Sequence, residues 1–209
     1  MTERVATGPD AVTESILNQK AIPVVRSSSV GTARESCAAL IAAGLSVIEL
    51  TATTPGWREL LCSLVAEYPT ATIGMGTVTN GADAEAALGL GAAFLVSPYP
   101  APDARRAATA AGTLFIGGGF TPAEVAASSA FGLCKLFPAH LGGVTYLTTL
   151  TAILPHARIM PTGGIRISDV STWLAHGAAA VGLGSDLASA PDLDATIDEL
   201  THQLKPRSE

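Results

Sequence analysis

A rhythm limits what this chain can fold into: a short apolar run followed by a helix-like stretch, repeated eight times with glycine or proline at many of the junctions. The apolar runs are Ala21–Val25, Ser46–Leu50, Ala71–Met75, Ala93–Val96, Thr113–Ile116, a run ending at Lys135, Ala157–Met160 and Ala179–Gly182. Runs this short and this uniformly apolar fit strands buried on both faces, as in parallel sheets. Between them the spacing predicts helices over 32–43, 55–67, 82–90, 101–110, 122–130, 144–154, 168–175 and 192–204, with Thr121-Pro122 as a capped start. A further short helix from Asp10 is expected before the first strand. Parallel neighbours need a crossover, which a helix supplies. Eight such units predict one domain over residues 1–209, a (β/α)8 TIM barrel with a short N-terminal helix. An open doubly wound sheet is the alternative, but no Gly-x-Gly-x-x-Gly follows the first strand, which argues against its dinucleotide-binding form.

A barrel of this kind carries its site at the carboxyl ends of the strands. The residues there are Arg26, Glu49, Gly76-Thr77, Ser97-Pro98, Gly117-Gly118-Gly119, Lys135, Thr162-Gly163-Gly164 and Gly184-Ser185. Lys135 stands out. The chain has only three lysines, and Lys20 and Lys205 lie near its ends in polar surroundings. Lys135 sits in Leu133-Cys134-Lys135-Leu136-Phe137-Pro138, where an ammonium must snorkel to solvent, pair with an acid or give up its proton. A neutral lysine is a nucleophile suited to Schiff-base chemistry.

Glu49, in Val47-Ile-Glu-Leu-Thr51, is the only carboxylate within a predicted strand. It pairs with Lys135 either as a structural ion pair or as a proton carrier beside a nucleophile. The turns Thr162-Gly163-Gly164 and Gly184-Ser185 follow strands seven and eight, where barrels commonly bind phosphate on backbone N–H groups. Tight turns alone would also use glycine there. His140 could line the cavity or be solvated, Trp57 and Trp173 fit helix packing, and Asp186 fits a cap or a local pair.

Composition narrows the function. Hydrophobic residues are 48% and charged ones 14%, which excludes disorder. A formal charge of −6 with scattered arginines argues against nucleic acid. Cys37, Cys62 and Cys134 have neither disulfide nor metal spacing and read as small core residues; His156, His176 and His202 add no metal spacing. Glu3 and Asp10 near the start, with no apolar leader and no membrane-length run, predict a cytoplasmic protein with no membrane partner.

With these residues assembled, the chain resembles the 2-keto-3-deoxy-6-phosphogluconate and 4-hydroxy-2-oxoglutarate aldolase family from about Ala21 to Leu187. The motifs are Val47-Ile-Glu49-Leu, Gly74-Met-Gly-Thr77-Val, Val96-Ser-Pro98, Lys135-Leu-Phe-Pro138, Pro161-Thr-Gly-Gly164-Ile and Gly182-Leu-Gly-Ser185. Each is weak alone, and their order and spacing together are specific. The resemblance implies Lys135 as the imine-forming nucleophile, Glu49 as the proton shuttle, and Arg26 and Thr77 on the substrate carboxylate. It further implies Pro98 and Phe137 as pocket walls, and Thr162, Gly163, Gly164, Gly184 and Ser185 on hydroxyl and phosphate groups. One position departs: four residues after Glu49, where the phosphogluconate enzymes carry arginine, stands Thr53. Relatives acting on the phosphogalactonate epimer also lack that arginine and share Arg26 and Gly-Leu-Gly-Ser-Asp-Leu, so the chain looks nearer that branch. Thr162 looks like the phosphogluconate enzymes, which leaves the epimer open.

The implied activity is class I cleavage of a 2-keto-3-deoxy-6-phospho sugar acid to pyruvate and glyceraldehyde 3-phosphate, with no metal or other cofactor. The implied assembly is a homotrimer with a small-molecule keto-acid phosphate substrate. Two rivals remain at this level: a phosphosugar isomerase or epimerase on the same barrel, and a non-catalytic metabolite-binding barrel.

Overall fold

The structure, a computed structural model, describes residues 8–188, 190 and 192–204, without the side chains of Ser185 and Ala188. Glu3 and Lys205 lie outside the described residues. The fold is α/β with parallel strands. The chain runs α1 (Pro9–Gln19), β1 (Ala21–Val25), α2 (Val30–Ala42), β2 (Val47–Thr51), α3 (Trp57–Glu67), β3 (Thr72–Gly76), α4 (Gly81–Gly89), β4 (Phe94–Val96), α5 (Pro102–Ala110) and β5 (Leu114–Ile116). It continues with β6 (Gly118–Gly119), α6 (Pro122–Ser129), β7 (Cys134–Leu136), α7 (Gly143–Ile153), β8 (Ile159–Pro161), α8 (Val170–Ala175), β9 (Val181–Leu183), α9 (Ser185–Ala188) and α10 (Leu193–Leu204). Six strands form one sheet in the order β5-β4-β3-β2-β1-β9, and three form another in the order β6-β7-β8. A parallel bridge between Thr162 and Gly182 and a 2.8 Å bond from Ala179 N to Ile159 O link β8 to β9.

Several boundaries differ from expectation, each for a local reason. Gly118 and Gly119, expected in a turn, form a strand that pairs with Lys135 and Leu136. Glycine has no side chain to favour a strand, and pairing with β7 is what extends them. Helix α3 begins at Trp57, not Pro55, because Gly56 takes a left-handed φ of 72° that no helix accepts. Ala71 belongs to a turn, its N–H donating to Tyr68 O at 2.9 Å, so β3 starts one residue later. Helix starts follow their caps: Ser29 accepts from Thr32 N, Asn80 from Asp83 N, and Thr121 with Glu124 forms a reciprocal capping box.

Strand periodicity explains where the chemistry lies. Ile22, Val47, Phe94, Val96, Leu114, Ile116, Leu133 and Met160 share one apolar cluster with Val12 and Ile16 of α1. Two residues along from Ile22, Val47, Leu133 and Met160 on the same faces stand Val24, Glu49, Lys135 and Thr162. The amino-terminal layer is therefore packed hydrocarbon, and the layer above it carries Glu49, Lys135 and Thr162 beside Val24. Phe94 is fully buried, and a Cβ on Gly74 would lie 2.4 Å from its ring, so glycine at 74 makes room for the aromatic plug. Burying such a ring stabilises the fold by roughly 1.5–3 kcal/mol. The outer faces of the strands pack on the helices, with Leu60, Leu61, Leu64, Trp57 and Trp173 buried there.

Cys62 is a correction. Cys37 and Cys134 are buried, but Cys62 is exposed. Its neighbours Leu61 and Leu64 take the buried face of α3, which turns position 62 to the outside.

Candidate active site

Lys135 lies in the middle strand of the three-stranded sheet, its backbone N–H donating to Gly117 O at 2.9 Å. Its side chain is only 6% exposed, so it does not snorkel out. Nζ instead donates to Glu49 Oε1 at 3.3 Å, across 86 residues of sequence, and Glu49 is 1% exposed. The other carboxylate oxygen, Oε2, is buried without a hydrogen-bond partner. A buried acceptor left open is costly unless something arrives to use it. The Phe137 ring centroid stands 5.7 Å from Nζ, and the Phe137–Pro138 peptide is cis.

Room for the carboxylate comes from Gly76. A Cβ there would sit 1.9 Å from Glu49 Oε1. Thr77, the next residue, has φ 59°, a left-handed conformation that costs a non-glycine residue roughly 1–2 kcal/mol. Such strain persists where surrounding structure imposes it, commonly at functional sites. Thr77 meets Arg26, which leaves the end of β1 and points Nη2 toward Thr77 Oγ1 at 3.5 Å and Nη1 toward Thr53 Oγ1 at 2.8 Å.

These groups share a pocket of about 430 Å³ lined by Val24, Arg26, Glu49, Thr77, Pro98, Lys135, Phe137, Thr162, Gly163, Gly164 and Gly184. Its mixture of apolar wall and a few convergent polar groups suits a small anionic ligand. Thr162 is buried, its hydroxyl 3.4 Å from Met160 O. Gly163 and Gly164 have φ of 96° and 69° and pass so close to Phe137 and His140 that a Cβ would lie 2.9 Å and 2.7 Å from those rings. Gly184 faces the pocket from the end of β9.

Ten of the eleven residues named from sequence line this one pocket, and the side chain of Ser185 falls outside the described residues. Other members of the strand-end group do not reach the pocket. Ser97 is fully buried with its hydroxyl unpartnered, and Gly118 packs against the Ser97-Pro98 backbone, where a Cβ would come within 2.4 Å. His140 is exposed, with Nδ1 3.2 Å from Gly163 O, so it braces the turn. Asp186 accepts from Ile167 N at 3.0 Å, a contact 19 residues away and not a local cap. Sequence reading missed Val24 as a wall; its position two residues before Arg26 on a strand was the available signal. Among the described residues no cluster of three His, Cys, Asp or Glu is arranged to hold a metal, and no helix is long and apolar enough to cross a membrane.

Against known proteins, residues 12–201 match the family described as "Aldolase: KDPG and KHG aldolase". The chain belongs to the KDPG and KHG aldolase family. It is 32% identical over 156 residues to the 2-dehydro-3-deoxy-phosphogluconate aldolase of Zymomonas mobilis, covering 73% of this chain and 74% of that one. It is 29% identical over 173 residues to the 2-dehydro-3-deoxy-6-phosphogalactonate aldolase of Escherichia coli, covering 81% and 84%. Among solved structures it is similar to the KDPG aldolase of Legionella pneumophila with pyruvate captured as a covalent carbinolamine, at a TM-score of 0.80 and 27% identity over 94% of this chain and 96% of that one. The protein is thus a class I aldolase, a carbon–carbon lyase.

Proposed function

We propose that the pocket cleaves a 2-keto-3-deoxy-6-phospho sugar acid, with Lys135 as nucleophile and Glu49 as proton carrier. The observation that carries this reading is a buried amine 3.3 Å from a buried carboxylate, both on the wall of one pocket, with the second carboxylate oxygen left without a hydrogen-bond partner. Lys135 Nζ adds to the C2 ketone and water leaves, giving a protonated imine. Glu49 takes the C4 hydroxyl proton, the C3–C4 bond breaks, and its electron pair moves into the iminium to form an enamine. Glyceraldehyde 3-phosphate departs. Glu49 returns the proton to C3, and water hydrolyses the imine to release pyruvate and the free amine.

Arg26 and Thr77 hold the carboxylate in this reading, Pro98 and Phe137 shape the wall, and Thr162, Gly163, Gly164, Gly184 and Ser185 take the hydroxyl and phosphate groups. The positive-φ glycines Gly163 and Gly164, which line the same pocket as Gly184, support a backbone phosphate cradle. The scaffold in this reading is one closed (β/α)8 barrel. The bridge from β8 to β9 supports it on one side, and β5 running through Gly117 into β6 supports it on the other. A cytoplasmic homotrimer belongs to the same proposal, carried by the family resemblance, and light scattering measures the assembly.

The test is incubation with pyruvate, reduction with borohydride and peptide mapping by mass spectrometry. A pyruvyl adduct on Lys135 is expected. An intact protein that takes up no adduct, or takes it up elsewhere, sinks the mechanism.

A further inference from the structure

Imine chemistry leaves the hydroxyl cluster behind Arg26 unused. Thr53 Oγ1, which accepts from Arg26 Nη1 at 2.8 Å, itself donates to Thr51 Oγ1 at 3.2 Å. Thr51 Oγ1 lies 3.2 Å from Thr54 Oγ1 and 3.5 Å from Val25 O, and Thr54 Oγ1 accepts from Ser27 N at 3.3 Å. Thr51 and Thr54 are 0% and 1% exposed. The relay therefore begins at the guanidinium and ends on the backbone at either side of Arg26, which ties an exposed side chain to a rigid, buried anchor.

The charge is left free. Five ion pairs occur among the described residues and none includes Arg26. A carboxylate partner would position the guanidinium but cancel much of its field, whereas neutral hydroxyls position it and leave the charge for a ligand. Arg26 and Thr77 line the pocket and Thr53 does not. The other terminal guanidinium nitrogen, Nη2, faces Thr77, beside the Gly76 and Glu49 that border the reacting amine.

We infer that Thr53 is a positioning residue for carboxylate recognition: through its hydrogen bond it holds Arg26 toward Thr77, so that a cation from the end of β1 receives the keto-acid carboxylate. The inference rests on the aldolase reading. It gives a reason for threonine four residues after Glu49, because a bulky cation there would displace the Arg26 contact. The ligand chemistry is a carboxylate next to a ketone, with the phosphate left to the glycine turns.

Borohydride trapping read as a function of ketone concentration separates the possibilities. Pyruvate carries the carboxylate and no phosphate, and methyl pyruvate is a neutral ketone of similar size. Thr53→Val should raise the half-saturating pyruvate concentration roughly tenfold, the scale of a hydrogen bond to a charged group at an exposed site. Trapping of methyl pyruvate should stay within about twofold, and Thr53→Ser should restore pyruvate binding, both following from a loss confined to the carboxylate. Thr53→Ala, which removes the hydroxyl with less bulk, should reproduce the valine result. Unchanged pyruvate saturation in both variants overturns the inference, as does equal weakening of the two ketones, which a distorted pocket would produce. A wild type that traps neither ketone overturns the aldolase reading and this inference together, whereas normal wild-type trapping with silent Thr53 variants overturns the inference alone.

Discussion

Replacing Gly76 by alanine adds one methyl group and aims it at the reacting carboxylate. The new Cβ would lie 1.9 Å from Glu49 Oε1, 2.5 Å from Cδ and 2.7 Å from Cγ. Ordinary contact begins near 3.4 Å, so the carboxylate oxygen must retreat by about 1.5 Å, the difference between the two distances. Glu49 Oε1 starts 3.3 Å from Lys135 Nζ, and a displacement of that size breaks the contact or forces a new rotamer. A misplacement of about 1 Å at a reacting group costs on the order of a hundredfold in rate. Gly76 lies in strand β3 without a positive φ, so alanine suits its backbone and the fold should survive. The variant should form the pyruvate imine on Lys135, with exchange of the pyruvate methyl protons at least about a hundredfold slower than wild type. NMR in deuterated buffer follows the exchange, and thermal melting checks the fold. Exchange within threefold of wild type, in a protein that melts normally, would refute the claim that this carboxylate position is what moves the proton.

Further expectations test the surrounding structure. Gly74→Ala points its Cβ into the Phe94 ring at 2.4 Å, so it should cost stability, roughly 1–3 kcal/mol by chemical denaturation, through overpacking and not through the pocket. Burial pushes the Cys37 thiol up to about 12, with nearby Arg34 opposing, and burial likewise pushes Cys134 up to about 12. Above the ordinary thiol value of 9.0 the unfolded chain loses protons that the fold retains, so stability should fall as pH rises from 9 toward 12, by up to about 1.4 kcal/mol per pH unit and thiol. Urea midpoints across that range measure it, and a thiol reagent should label exposed Cys62 well before the other two. Thr121→Ala removes the cap of α6, the helix that leads into Lys135's strand, and should cost about 1 kcal/mol. The backbone N–H groups of Thr121 and Phe120, with the Thr121 hydroxyl, hold the Glu124 carboxyl below its ordinary range. That contribution is present above pH 4.5 and is lost as pH falls through the lowered folded value, so Glu124→Gln should lack this acid-dependent loss in a urea titration.

The alternation of apolar runs with helical stretches was enough to read parallel strands joined by helices, because burial on both faces demands apolar residues throughout and crossovers demand helices. It was also enough to pick out Lys135 and Glu49, since a charge inside a buried strand is conspicuous against its neighbours. Local composition misled at Gly118-Gly119, where pairing with β7 overrides a turn-like sequence, and at Cys62, where helix phase and not residue type sets exposure. What the sequence by itself determined was the periodicity, and with it which residues stand at the carboxyl ends of the strands. Only the tertiary structure decided which of these meet: Lys135 with Glu49 at 3.3 Å, and Arg26 with Thr53 and Thr77. Those contacts span 86, 27 and 51 residues, and depend on strand register and on where a methyl-free Gly76 leaves space. Register is a property of the assembled sheet, and the direction in which Arg26 leans is set by hydroxyls that approach it only once β1, β2 and β3 lie side by side.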